Sequence, residues 1–419
     1  MVNRDHSRVL RVMIEAMAAN KTMVSEFPWD ERYRVTGIEN VLTPALVVYP
    51  EIVASNLART LHLLGGDADR WRAHIKTAKL AYTLRMLVER GVRNFKCATT
   101  LELLEACRGG AADVLLAYPV MDANARRVCE IADQFPHVRV SVLTENLEQA
   151  RQWRGSPVGV FIDINPGMNR TGIEQGQTET VVRIVRDVSD AGLDFRGLHY
   201  YDGQYGGLDE PERTQAAHTG YDRLLELVGE IRSNGLSVPE VITAGTPTFP
   251  CSLSYEDFHD PGFVHRVSPG TVVYSDATSL AQLRGEYGYA PAVLVVTRVI
   301  SRPHAGIVTC DAGHKAVSAD AGVPTCVVAG HPELTPLSPS EEHLPMAVEG
   351  RASPEIGDAL YLLPRHICPT VNNFDSALLV RDGEIVSVER VSARGREGPL
   401  LRNTGQDVVT VSQARNEKV

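Results

Sequence analysis

The sequence predicts an α/β protein, a (β/α)8 TIM-type barrel followed by a C-terminal mainly-β domain. Three observations carry that reading. Short apolar runs alternate with amphipathic helical stretches from about Trp71 to Tyr274. Roughly eight such units occur, and repeated strand–helix units imply parallel strands. From Ala290 onward the helical pattern stops, and strands separated by turns take over.

The predicted barrel strands are Arg72–Lys76, Asn94–Ala98, Asp113–Ala117, Val138–Leu143, Val158–Ile164, Arg196–Tyr200, Glu240–Ala244 and Pro269–Tyr274. Helices are predicted over Thr100–Arg108, Asp122–Phe135, Thr178–Ala191 and Glu210–Ser233. In the first of these, Leu101, Leu104 and Ala106 fall roughly on one face. A doubly wound open sheet is the competing arrangement of the same units. After Ala290, the runs at 291–303, 305–315, 353–364 and 376–391 read as β. Asp382-Gly383 in the last is a tight hairpin signal. Thr335–Glu349 is rich in Pro and Glu and reads as loop. The pattern divides the chain into a barrel at 46–285 and a β-domain at 286–395, joined by residues 1–45. A polar tail follows at 396–419.

A chain of 419 residues, 43% hydrophobic and 22% charged, can bury a large core without staples. Its net charge of -10 argues against a general nucleic-acid binder, which needs a basic face. The seven cysteines are scattered and form no C-x-x-C pair, which fits a reducing compartment. The N-terminal stretch has no continuous apolar core of a signal peptide. No run approaches the ~18 apolar residues of a membrane helix. The expectation is a cytoplasmic protein with no membrane partner.

Active sites of barrels sit at the C-terminal ends of the strands. Lys76 falls at such an end, in RAHIKTAK, and a lysine pointing into a barrel mouth must be paired or used. A snorkelling surface lysine is the bland alternative. Gly245 and Thr246 follow one late strand, and Gly270 and Thr271 another. Both turns can offer amides and hydroxyls to a phosphate, although ordinary turns have the same composition. His366 and Cys368 would share one face of a strand. Imidazole and thiolate suit zinc, and two ligands would leave an open site. A core histidine beside a buried cysteine is the alternative. Arg170 lies in a polar, Gly-rich loop at 163–172, where it can bond a cofactor phenolate or an acidic substrate, or simply face solvent.

Taken together, these motifs resemble the D-threonine aldolase / D-serine dehydratase family, pyridoxal-phosphate (PLP) enzymes of the alanine racemase-like fold. The resemblance spans roughly Thr43 to Val391. It rests on TPALVVYPEIVASN, RAHIKTAK, KCATTLELLEA, DVLLAYP, DINPGMNRTGI, GLHYYDG, DAGHKAVSADAGVP and HICPTVN, in that order. It implies PLP held covalently on Lys76, Arg170 near the cofactor's phenolic oxygen, and Tyr201 among the cofactor contacts. It places the phosphate at Gly245, Thr246, Gly270 and Thr271. It implies a divalent metal on His366 and Cys368, zinc favoured, with manganese or magnesium as alternatives. It also implies a homodimer acting on a small β-hydroxy-D-amino acid.

Two positions depart from the family pattern R-P-H-x-K-T-H-K: Ala73 replaces the proline and Ala78 the second histidine. Tyr201-Asp202-Gly203 is closer to the aldolases, whereas His-x-Cys is closer to the dehydratases. Retro-aldol cleavage to glycine and an aldehyde is the first expectation. Dehydration to a 2-oxo acid and ammonia is the second, and racemisation the third.

Overall fold

The computed structural model describes residues 29–259, 261–350 and 354–399. Most of the expected tail, and the first 28 residues, lie outside them. The first strand, β1 (Ala45–Val48), is not part of the barrel; it belongs to the second sheet.

The barrel strands are β2 (Arg72–His74), β3 (Asn94–Cys97), β4 (Asp113–Leu116), β5 (Arg139–Thr144) and β6 (Gly159–Asn165). The two-residue β7 (Ile173–Glu174) lies against the end of β6. β8 (Phe195–Tyr200), β9 (Glu240–Thr243) and β10 (Val264–Val267) complete the set. Neighbours pair in parallel in the order β2-β3-β4-β5-β6-β8-β9-β10. A parallel bridge between Trp71 and Val267 closes the ring. The arrangement is therefore a barrel and not an open sheet.

The strands are buried on both faces, which is why they read as continuous apolar runs. Outside them lie the amphipathic helices. Thr178–Asp190 turns Val181, Val182, Ile184, Val185 and Val188 inward. Thr100–Arg108 starts at Thr99, whose side chain accepts from the Glu102 amide. Inside, Leu115, Leu143, Phe161 and Ile242 form one apolar layer. At the N-terminal end, the buried Arg72 guanidinium bonds Asp113 and Glu240, each at 2.8 Å, and Arg266 also reaches Glu240. Fully paired, these charges close the bottom of the barrel. The chemistry is left to the other end.

The eighth strand differs from expectation. It is Val264–Val267, and the predicted Pro269–Tyr274 is a loop with a 3-10 turn at Thr271–Val273. Pro269 has no N–H for the ladder and Gly270 weakens a strand, so pairing stops at Val267. The shift puts Gly270 and Thr271 beyond a strand end, at the barrel mouth.

The second sheet is built from β1 and the chain after the barrel. β11 (Val293–His304) runs antiparallel to β1. β12 (Ile307–Cys310), β13 (Cys326–Val328), β14 (Leu334–Pro336), β15 (Leu344–Val348) and β16 (Ala359–Pro364) extend it. β17 (Ser376–Arg381) pairs parallel to β1, and β18 (Glu384–Arg390) returns from it through Asp382-Gly383. Both turn residues have positive φ, as a tight primed turn requires. The stretch Thr335–Glu349, expected as loop, contributes β14 and β15, which pair antiparallel. Leu344 and Met346, two apart and both buried, supply the strand alternation there.

Candidate active site

Lys76 follows β2 at the barrel mouth, and its amide donates to His74 Nδ1 at 3.3 Å. A cavity of about 260 Å³ opens above it. Lys76, Tyr201, Gly245, Thr246, Gly270, Thr271 and His366 all line this cavity, so residues spread over 290 positions meet at one place. A larger cleft of about 1460 Å³ lies elsewhere, between Glu31–Arg34, Arg59 and Arg284, and holds none of these groups.

The two glycine turns are built for close approach. A Cβ on Gly270 would stand 2.4 Å from the His74 carbonyl oxygen, and one on Gly245 would stand 2.8 Å from the Tyr201 ring. Thr246 Oγ1 accepts from the amides of Gly270 (3.3 Å) and Thr271 (3.1 Å), which ties the turns together. Thr248 bonds the Gly245 amide and the buried Asp202 carboxylate, so the first turn is braced from below. Amide-rich turns facing a lysine across a cavity of this size suit a phosphorylated, aldehyde-bearing cofactor. The residues present therefore fit PLP.

Tyr201 lies across the cavity, wedged against Gly203 and Gly245. The Arg170 guanidinium sits 4.9 Å from its ring centroid and Lys96 Nζ 5.6 Å from it. Arg170 is exposed and does not line the main cavity; it borders a small space beside Asp163, His199 and Tyr201.

His366 and Cys368 are not on a strand. His366 caps a short helix, Ile367–Val371, and Cys368 lies within it. Pro369 explains the difference, since it cannot donate to a ladder but fits a first helical turn. Asp276 accepts from the Ile367 amide at 3.0 Å and anchors the turn. Cys368 Sγ is 2.9 Å from Thr77 Oγ1 and 3.7 Å from Thr271 Oγ1. His366 Nδ1 donates to Asp320 at 2.6 Å. Burial works against a charge on His366, but Cys368 and Asp320 outweigh it and raise its pKa to about 9. Burial pushes the Cys368 thiol up, yet His366 and Lys76 bring it below the ordinary thiol value. An acidified thiol beside an imidazole with a carboxylate behind it has the donor chemistry that a borderline-soft metal ion would take. Among the described residues no cluster of three or more His, Cys, Asp or Glu forms a closed metal site. Imidazole and thiolate are the donors that an open site with two protein ligands would use.

Sequence reasoning missed three buried groups at the same mouth. Lys96 on β3, His199 on β8 and Asp163 on β6 form a chain: Lys96 Nζ to His199 Nε2 at 3.3 Å, and His199 Nδ1 to Asp163 at 2.7 Å. The available signal was an ionisable residue inside each of three apolar strands.

The comparisons with known proteins concern the family and the fold. Residues 50–278 match the alanine racemase N-terminal domain, and residues 292–380 match a putative serine dehydratase domain. The 3-hydroxy-D-aspartate aldolase of Paracoccus denitrificans (strain Pd 1222) is 28% identical over 85% of this chain and 93% of its own. The D-threo-3-hydroxyaspartate dehydratase of Delftia sp. (strain HT23) is 24% identical over 83% of this chain and 97% of its own. The crystal structure of D-threonine aldolase from Filomicrobium marinum superposes with a TM-score of 0.77 at 26% identity, covering 86% of this chain and 97% of that one. The chain belongs to the D-threonine aldolase / D-serine dehydratase family, with its alanine racemase-like PLP barrel. It is a PLP-dependent lyase. Among the described residues no helix is long and apolar enough to cross a membrane.

Proposed function

We propose that the protein is an aldolase of the D-threonine type, cleaving a β-hydroxy-D-amino acid to glycine and an aldehyde. The observation that carries this reading is the bond from Thr77, the residue after Lys76, to Cys368, which brings the His366–Cys368 pair to the lysine's cavity. A racemase has no use for a metal pair at this position.

PLP, when bound, supplies an electron sink for the bond broken at Cα. A divalent ion, when bound, supplies a Lewis acid for the substrate's β-hydroxyl. Lys76 holds the cofactor through its amine. Gly245, Thr246, Gly270 and Thr271 hold its phosphate, and Tyr201 and Arg170 flank its ring. His366 and Cys368 hold the metal. Thiolate and imidazole favour zinc over the harder manganese and magnesium ions. Asp320 accepts a hydrogen bond from His366 Nδ1–H, which would leave Nε2 free to ligate the ion. Assembly as a homodimer and a cytoplasmic location complete the proposal; all seven cysteines are free, which supports a reducing environment.

The His-x-Cys pair favours one second reading, a dehydratase. Product analysis separates the two. The enzyme loaded with PLP and zinc is incubated with D-threonine, D-serine and 3-hydroxy-D-aspartate. Glycine with an aldehyde is expected. A 2-oxo acid with ammonia would replace the aldolase by the dehydratase.

A further inference from the structure

We propose that Lys96, backed by His199 and Asp163, is a second proton-transferring amine serving the cavity of Lys76. The inference rests on the lyase reading and adds a group to it.

The chain buries two lysines near this mouth, and they differ in their partners. Lys79 is 5% exposed and is paired with Glu102 at 2.5 Å, so it is a structural cation. Lys96 is 3% exposed and lines the cavity beside Lys76. Among the described residues it has no carboxylate within ion-pairing distance; its hydrogen-bond partner is the His199 imidazole. A desolvated lysine without a counter-ion is costly unless it sheds its proton. Burial, and then the neighbouring Lys76, lower the Lys96 pKa to about 7. Asp163 alone acts in the opposite sense among its larger influences.

The groups facing Lys96 come from every side. Arg72 and His74 lie on β2, Lys76 just after it, and Asp163 on β6 with Arg170 in the following loop. His199 lies on β8, and Asp202 just beyond it. The surroundings are net cationic, so the neutral amine and the ammonium are both available near neutrality. His199 is itself kept neutral, first by burial and then by Lys96. Its Nδ1–H is donated to Asp163, which leaves Nε2 to accept from Lys96. A lysine of this kind is an acid and base matched to pH 7. One proton moves. In cleavage the neutral amine takes the proton that leaves the substrate's β-hydroxyl as the Cα–Cβ bond breaks, and the resulting ammonium returns it to Cα as glycine forms; when glycine is offered, Nζ takes the proton from glycine Cα and returns it. The ammonium so formed donates to His199 Nε2, and no oxidant or third reactant is consumed.

Two measurements test this. In cofactor-free protein, competitive acetylation with trace acetic anhydride, mapped by mass spectrometry, should show Lys96 reactivity rising through about pH 7. A rise only near pH 10, as for an ordinary lysine, would overturn the proposal. In the PLP-loaded enzyme, exchange of the glycine α-proton in D2O should rise with pH as the Lys96 ammonium loses its proton, and then level. Lys96→Met should bind PLP yet lose that rise, with exchange slowed ~100-fold or more. In Lys96→Ala, added methylamine should restore exchange. Unchanged exchange in Lys96→Met, or no rescue in a PLP-loaded Lys96→Ala, contradicts the role. Failure of the lyase reading looks different: the wild-type protein would bind no PLP and cleave no substrate, while the acetylation profile of Lys96 would still report on the amine.

Discussion

Thr77 Oγ1 and Cys368 Sγ lie 2.9 Å apart, so the residue beside Lys76 is hydrogen-bonded to the thiol of a short helix in the second sheet's domain. Lysine cavity and donor pair are thereby held in one register. Chelation should abolish turnover while PLP stays bound, because the two groups have separate holders. Cys368→Ala should lose metal and turnover together. Asp320→Asn should weaken metal binding ~10–100-fold, since the carboxylate only orients His366. Metal content after dialysis, measured beside the visible cofactor band, checks all three.

Gly270→Ala should impair cofactor binding without unfolding the barrel. The added Cβ would stand 2.4 Å from the His74 carbonyl oxygen, in the segment that leads to Lys76. Crowding of this sort costs about 1–3 kcal/mol, or roughly 5–150-fold in affinity if the bound loop carries it. Titration of cofactor-free protein with PLP measures the change. Thr246→Val should also weaken binding, because Gly270 and Thr271 lose the hydroxyl that aligns their amides.

His265 should set part of the acid limit of stability. Its ring stacks on Phe258 with centroids 4.1 Å apart, and its Nε2 bonds Thr243. Among the described residues its buried Nδ1 has no partner. Burial lowers its pKa to about 3, whereas an unfolded chain protonates it near 6.5. The unfolded state thus takes up the proton first as pH falls. The contribution is complete above about 6.5 and is lost progressively down to about 3, on the order of a few kcal/mol. Denaturant melts of His265→Gln between pH 7 and 4 should be flatter than those of the wild type.

The barrel was legible wherever a strand was an apolar run bounded by turns, as at Val160–Ile164. The last strand was not, because Val264-His265-Arg266-Val267 is half polar, while Thr271–Tyr274 has the β-branched composition of a strand without its pairing. Lys76, the two glycine turns and the His-x-Cys pair were legible as motifs. The local backbone of His366 was not, since Pro369 decides for helix and its weight shows only once Asp276 caps the turn. The Lys96–His199–Asp163 chain was illegible for another reason. Each member comes from a different strand, and only closure of the barrel makes them neighbours.

Two lysines, Lys76 and Lys96, line the same cavity, so the identity of the cofactor lysine tests the site most directly. The purified protein is saturated with PLP, reduced with borohydride, digested and mapped by mass spectrometry. A single pyridoxyl adduct on Lys76 is predicted, and Lys76→Ala should carry none. An adduct on Lys96 or Lys79 in place of Lys76 would contradict the account.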